Sequence, residues 1–341
     1  MRETYGERFD GAPLFLNSAT YGLPSRRTSE ALHTALRAWE LGELVPTDFD
    51  ESVALARGAF ARMAGFSEGD VAMGGSVSAL LGLVASVLPD GTSVATFTHE
   101  FTSVTAPFDA QGRGITVTAL DPGELERRAG EFDVVSVSLV QSSDGRMLDV
   151  AALRAAVAGT TTRVILDVTQ AMGWMQLDVA WADAVVGGSY KWLMSPRGAA
   201  WMAMQPTLAE TLTPHAANWY SSETPWSNTY ALPSLQALDA RRLDASPAWF
   251  TLLGAGIAMP WLASLDATAV QAHCVGLANT VRSSLGLPLA DSAILALDVP
   301  DAAARLQSAG IRAAVRAGRA RVSFHLYNDA SDVEALLRAL R

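Results

Sequence analysis

Arg163-Val-Ile-Leu-Asp167-Val-Thr-Gln170 and, after a link, Asp183-Ala-Val-Val-Gly-Gly-Ser189-Tyr190-Lys191-Trp192 decide how this chain folds. Arg163 to Asp167 is a short apolar run closed by a carboxylate, and Ala182 to Gly187 is a second one closed by glycines. Continuous apolar runs of this length read as strands buried on both faces of a parallel sheet. In open α/β sheets, ligands bind beyond the carboxyl ends of such strands. Asp167 and Lys191 are therefore expected at one functional edge. Lys191 is also the only lysine, since every other member of the 25 lysines and arginines is arginine. Arginine serves equally well as a surface cation, but its guanidinium keeps its proton and cannot act as a nucleophilic amine toward an aldehyde.

A carboxylate facing a ring nitrogen and an amine facing an aldehyde are the two protein groups that pyridoxal phosphate requires. In Leu166-Asp-Val-Thr-Gln-Ala-Met-Gly173 and Gly187-Gly-Ser-Tyr-Lys-Trp-Leu193 the chain resembles class V aminotransferases, a group that also holds cysteine desulfurases, kynureninases and C–S lyases. That resemblance implies the α/β, fold type I architecture of pyridoxal-phosphate-dependent transferases. A large, doubly wound, mostly parallel sheet domain (residues 1–245, with an N-terminal arm) would precede a smaller α/β C-terminal domain (246–341). It further implies pyridoxal 5′-phosphate as cofactor, with Asp167 on the pyridine nitrogen, Gln170 on the ring hydroxyl, Lys191 holding the cofactor, and Ser189 and Tyr190 toward its phosphate.

Composition narrows the partners. Half the residues are hydrophobic and 18% are charged, as in a compact soluble protein. A net charge of −10 argues against binding nucleic acid through its phosphates. Cys274 stands alone, so no internal disulfide can form, and the five histidines show no metal-ligand spacing, so no metal is expected. No signal peptide is visible, and the longest apolar run, around Leu80 to Leu88, is too short to span a bilayer. A cytoplasmic protein without membrane partners is expected.

Along the chain, Leu14-Phe-Leu-Asn17-Ser-Ala-Thr-Tyr21-Gly reads as a short strand and a turn. By resemblance this arm enters the site beside the substrate, which makes Asn17 and Tyr21 candidates. Helices are expected from Thr28 to Leu41, capped by Thr28 or Ser29, and from about Phe49 to Ala64. Gly74-Gly-Ser76-Val77-Ser feeds an apolar helix whose free amides suit a phosphate, and the resemblance assigns Ser76 and Val77 to it. After the strand Thr92 to Phe97 comes Thr98-His99-Glu100-Phe101, where relatives stack a flat side chain on the cofactor ring; Phe101 holds that place and His99 is the alternative. By resemblance, Ser142 or Gln141, at the end of the strand from Val134, lies toward the ring hydroxyl and substrate.

A crossover helix is expected from Leu148 to Ala158, and Ser246-Pro247 reads as a helix start. By resemblance Ser246 takes the place of a threonine that reaches the neighbouring subunit's cofactor phosphate, which implies a homodimer. In Arg319-Ala-Arg321-Val-Ser-Phe-His-Leu-Tyr327-Asn328 the pattern makes Arg321 the grip on a substrate carboxylate, a bidentate task suited to guanidinium. Arg319 is the alternative.

One departure bears on the chemistry. Desulfurases of the group carry a nucleophilic cysteine shortly before this motif, and Val315 to Arg321 contains none. A persulfide-forming desulfurase is therefore not expected, because the thiolate is the sulfur acceptor. The expected activity is an aminotransferase acting on a small amino acid or amine. β-Elimination by a C–S lyase comes second, because it needs an extra acid for the leaving group, and a catalytically silent cofactor-binding protein comes third. A dinucleotide-binding dehydrogenase fits worse, because Gly74-Gly75 lacks the G-x-G-x-x-G spacing.

Overall fold

The computed structural model describes residues 1–341. Strands β1 (Arg2–Thr4) and β2 (Glu7–Phe9) form an N-terminal hairpin. The large sheet is built from β3 (Val71–Gly74), β4 (Ser93–Phe97), β5 (Thr116–Leu120), β6 (Val134–Ser138), β7 (Arg163–Asp167), β8 (Ala184–Gly188) and β9 (Ala200–Met204). Its order is β3-β9-β8-β7-β6-β4-β5, and only β9 runs against the others. The sheet is thus mixed but mostly parallel. Its continuous apolar runs have a direct cause. Along β6 and β7, Val135, Val137, Val164 and Leu166 enter one core, while Val134 and Ile165 enter the core on the opposite face. Alternation along a strand becomes invisible when both faces are covered.

The small sheet contains β10 (Ile294–Leu297), β11 (Ala314–Arg316) and β12 (Arg319–Ser323), antiparallel in the order β10-β12-β11. Arg316 pairs with Arg319 across a two-residue turn, Ala317-Gly318, in which both φ angles are positive (47° and 77°). Such turns match strand twist but ordinarily use Asn-Gly, so Ala317 is strained. The helix Trp249–Ser264 lies past residue 246 yet packs on Arg26–Glu40 and Asp50–Ala64, and its Leu252, Ala255 and Met259 enter the core of the large body. By packing, that body extends beyond the boundary drawn at 246.

Three local expectations are corrected. Leu14 to Leu16 is no regular strand, and the arm instead makes isolated bridges, Phe15 with Arg312 and Asn17 with Ser323. The first helix starts at Arg26, and Ser25 rather than Thr28 or Ser29 caps it, accepting from the Thr28 amide at 3.3 Å. The helix after Ser246-Pro247 starts at Trp249 without a side-chain cap. No single helix is long and apolar enough to cross a membrane; Trp249–Ser264 and Ala267–Ser284 combine that length and apolar character only together, across a 94° bend.

Candidate active site

The carboxyl ends of β6, β7 and β8 and the start of the helix Val77–Val87 enclose a cleft. Asp167 and Lys191 both line it, with Phe101 at its mouth and Gly75, Ser76 and Val77 at one end. The two charged groups are almost fully buried, with 5% and 6% of their surfaces exposed. Burial lowers the Lys191 ammonium from 10.5 to about 8; Asp167 opposes the fall, and Arg321, Arg316 and Arg197 add to it. Burial raises Asp167 from 3.8 to about 6, while donors of Thr169, including its amide at 2.7 Å, and Lys191 oppose the rise and Glu100 adds to it. No hydrogen bond or ion pair joins Asp167 to Lys191, although each charge acts on the other.

A lysine with a lowered folded pKa destabilises the fold fully below that pKa, and the penalty fades as pH rises from about 8 toward 10.5. Lys191→Met should therefore stabilise the cofactor-free protein at pH 7 by about 2 kcal/mol, some of the gain being lost because Asp167 forfeits its neighbouring cation. Urea unfolding at about pH 7 and about pH 10 checks this: the gain must shrink at the higher pH, and an equal gain at both would assign it to packing.

Glu100, which was not singled out in the sequence, sets the position of Phe101. Its carboxylate accepts from the Ser138 amide (2.8 Å), the Ser138 hydroxyl (2.7 Å), Gln141 Nε2 (2.9 Å) and the Phe101 amide (2.7 Å). Phe101 is 44% exposed, and Lys191 Nζ lies 5.3 Å from its ring centre. His99 takes a left-handed backbone conformation (φ 63°) and stays outside the cleft. Of the pair at the end of β6, Ser142 lines the cleft and Gln141 is buried on Glu100.

At the other end, Ser76 caps the helix, accepting from the Ala79 amide at 3.2 Å, and a Cβ on Gly75 would meet nothing within 4 Å. Arg197 joins this end of the cleft, its guanidinium 5.2 Å from the Tyr190 ring centre. Nothing in the sequence marked it, because arginine is the default cation everywhere else. Ser189 is corrected: it is fully buried outside the cleft, with its hydroxyl donating to the Ala199 carbonyl at 2.8 Å. Tyr190 does line the cleft.

Arg321 is 1% exposed and has no carboxylate partner. It donates to the carbonyl of Ser142 and, at 2.7 Å, to Thr20 Oγ1, while its Nε is buried without an acceptor. Burial and the nearby Arg316 lower its pKa to about 10. Asn17 is corrected: it does not line the cleft, and its Oδ1 accepts from Thr20 Oγ1 at 2.7 Å. Gln170 lines the cleft, but its side chain already joins Trp192 Nε1 (2.8 Å) to the Ala19 carbonyl (2.9 Å), tying the arm to the lysine loop. The arm passes so close that a Cβ on Gly22 would sit 2.0 Å from the Lys191 carbonyl oxygen. Ser246 is exposed and does not line the cleft, and Tyr21 packs edge-on against Phe15. Cys274 is fully buried in the helix Ala267–Ser284, and burial pushes its thiol up, so no thiolate serves this cleft.

These residues fit pyridoxal phosphate. They offer a buried amine without an acceptor, a buried carboxylate without a contacting cation, a free aromatic face, and open helix amides beside a guanidinium.

Comparison with known proteins agrees with this geometry. Residues 84–287, which include Phe101, Asp167 and Lys191, match the family model described as Aminotransferase class-V. The uncharacterized aminotransferase YcbU of Bacillus subtilis (strain 168) is 25% identical over 236 residues. The match takes in 65% of this chain and 62% of YcbU, so the chain spans about three-fifths of that relative's length. The cysteine desulfurase CsdA of Escherichia coli shares the fold with a TM-score of 0.80 at 18% identity, over 97% of this chain and 95% of its own. The cystine C–S lyase C-DES, complexed with its product cysteine persulfide, gives 0.81 at 16% identity, over 97% and 98%. The cysteine desulfurase of Thermococcus onnurineus NA1 gives 0.81 at 17%, over 96% and 93%.

Proposed function

Because the chain belongs to the class-V aminotransferase family, we propose that it is a pyridoxal-phosphate-dependent aminotransferase acting on a small amino acid or amine. The observation that carries this reading is the meeting of Lys191, Asp167 and Phe101 in one cleft. When bound, pyridoxal phosphate supplies an electron sink for the pair left when a substrate Cα loses its proton. Asp167 would hold the ring nitrogen protonated, and Phe101 would cover one ring face. Ser76, Val77 and the amides at the start of their helix would bind the phosphate. Arg197 stands beside them as a fixed charge. Lys191, with a pKa of about 8, is partly neutral near pH 7 and would take and return the Cα proton. Arg321 would hold the substrate carboxylate, which supplies the acceptor its Nε lacks.

Elimination is the second reading, and Tyr190 favours it. Its phenol lines the cleft, and burial raises its pKa, so it stays protonated and able to donate to a leaving group. Ser246, exposed as it is, would reach a neighbouring subunit's phosphate only in a homodimer, which we also propose. Adding pyridoxal phosphate to the purified protein should produce a visible absorption band, and a panel of amino acids should then release either keto acid with amine transfer or ammonia or sulfide. No band at saturating cofactor would sink the reading. Light scattering at micromolar protein should give twice the chain mass; a fully active monomer would remove the role of Ser246.

A further inference from the structure

Arg316 and Arg321 converge on one hydroxyl. Arg321 donates to Thr20 Oγ1 at 2.7 Å, and Arg316 reaches the same oxygen at 3.5 Å. The first guanidinium is buried and the second is exposed. Neither forms an ion pair, whereas Arg319, two residues before Arg321, lies 3.8 Å from Asp144. In a chain with 35 acidic residues and a net charge of −10, two adjacent arginines without a carboxylate are held together against their mutual repulsion. The strained Ala317-Gly318 turn fixes where they stand, because it sets the register that puts Arg316 opposite Arg319 and Ala314 opposite Arg321. Thr20 also lines a depression together with Tyr190 and Arg197, two residues of the cleft, and both guanidiniums lie close enough to Lys191 to help lower its pKa.

From this pairing we propose that the substrate is an amino acid with a second, distal carboxylate, which Arg316 receives while Arg321 holds the first. The inference rests on the amino-acid-binding reading above and deepens it. One buried guanidinium answers one carboxylate, so a second unpaired guanidinium at the rim has no task toward a monocarboxylic amino acid. Arg316 lies on an exposed hairpin and stabilises no core, so its replacement tests recognition and leaves the fold intact.

The test is calorimetric, on the cofactor-loaded protein, with glutarate and succinate as dicarboxylate probes and valerate and butyrate as monocarboxylates of the same lengths. The parent protein should bind the dicarboxylates about tenfold more tightly, the size of one added charge-assisted hydrogen bond. Arg316→Gln should abolish that preference and leave valerate and butyrate binding as in the parent, which also shows that the variant is folded. Arg321→Gln should weaken all four probes. A parent protein without the preference, or Arg316→Gln that retains it, overturns the proposal. Carboxylate binding needs no turnover, so the two readings fail separately. A protein that prefers glutarate but never transfers or eliminates an amine keeps this inference and loses the preceding one. A protein that turns over alanine as well as glutamate does the reverse.

Discussion

Lys191→Arg is expected to lose both covalent attachment of the cofactor and turnover, the latter by at least about 10³-fold, since one side chain serves as carrier and as base. The chain has no other lysine, which makes the experiment unusually clean. Protein incubated with pyridoxal phosphate, reduced with borohydride and digested should carry the phosphopyridoxyl mass on the Lys191 peptide. The only competing amine is the α-amino terminus, and the two peptides separate by mass. Arginine keeps a positive charge beside Asp167, so lost labelling in Lys191→Arg reports the missing amine and not a missing cation. Label confined to the N-terminus of the parent protein would end the pyridoxal-phosphate reading, because no second lysine could replace Lys191.

Asp167→Asn is expected to retain the label on Lys191 and to lower turnover by about 10²–10³-fold, because a neutral amide cannot hold a pyridinium proton in a buried site. A second readout separates this from general damage. Asp167 raises the lysine's pKa, so removing its charge should lower that pKa below about 8 and move cofactor attachment to lower pH. Near-parental turnover would show that this carboxylate does not face the ring.

The parts of the fold that were legible from sequence were those whose chemistry is local. Strands buried on both faces announce themselves as unbroken apolar runs, hence β6, β7 and β8. Strand β5 was not recognised, because it sits at the sheet edge with mostly exposed residues and carries no such run. Lys191 stood out through its rarity and Asp167 through its place at a strand end. Arg197 was hidden by the opposite circumstance, being one arginine among many. Thr20 and Glu100 owe their places to partners more than 30 residues away, Arg321 for one and Ser138 and Gln141 for the other. No spacing rule reports such contacts. Ser189 misled because motif position fixes a backbone site but not the direction of a hydroxyl, which here turns back to Ala199.

The arm that packs on the lysine loop is fastened to the segment around Tyr327. Arg2 pairs with Asp329 at 2.6 Å, Ser18 shares a 2.6 Å hydrogen bond with Tyr327, and Asn328 Nδ2 donates to the Phe15 carbonyl at 3.0 Å. The arm thus finds these partners only after residues 327–329 have been made, many seconds after the arm itself. During that interval the large sheet can form while the groove beside the lysine loop stays unwalled. The surroundings of the lysine loop are therefore complete only once the segment around Tyr327 has been made. A chain that stops short of Tyr327 contains the whole lysine loop and lacks the anchor that sets Thr20 and Gly22 against it.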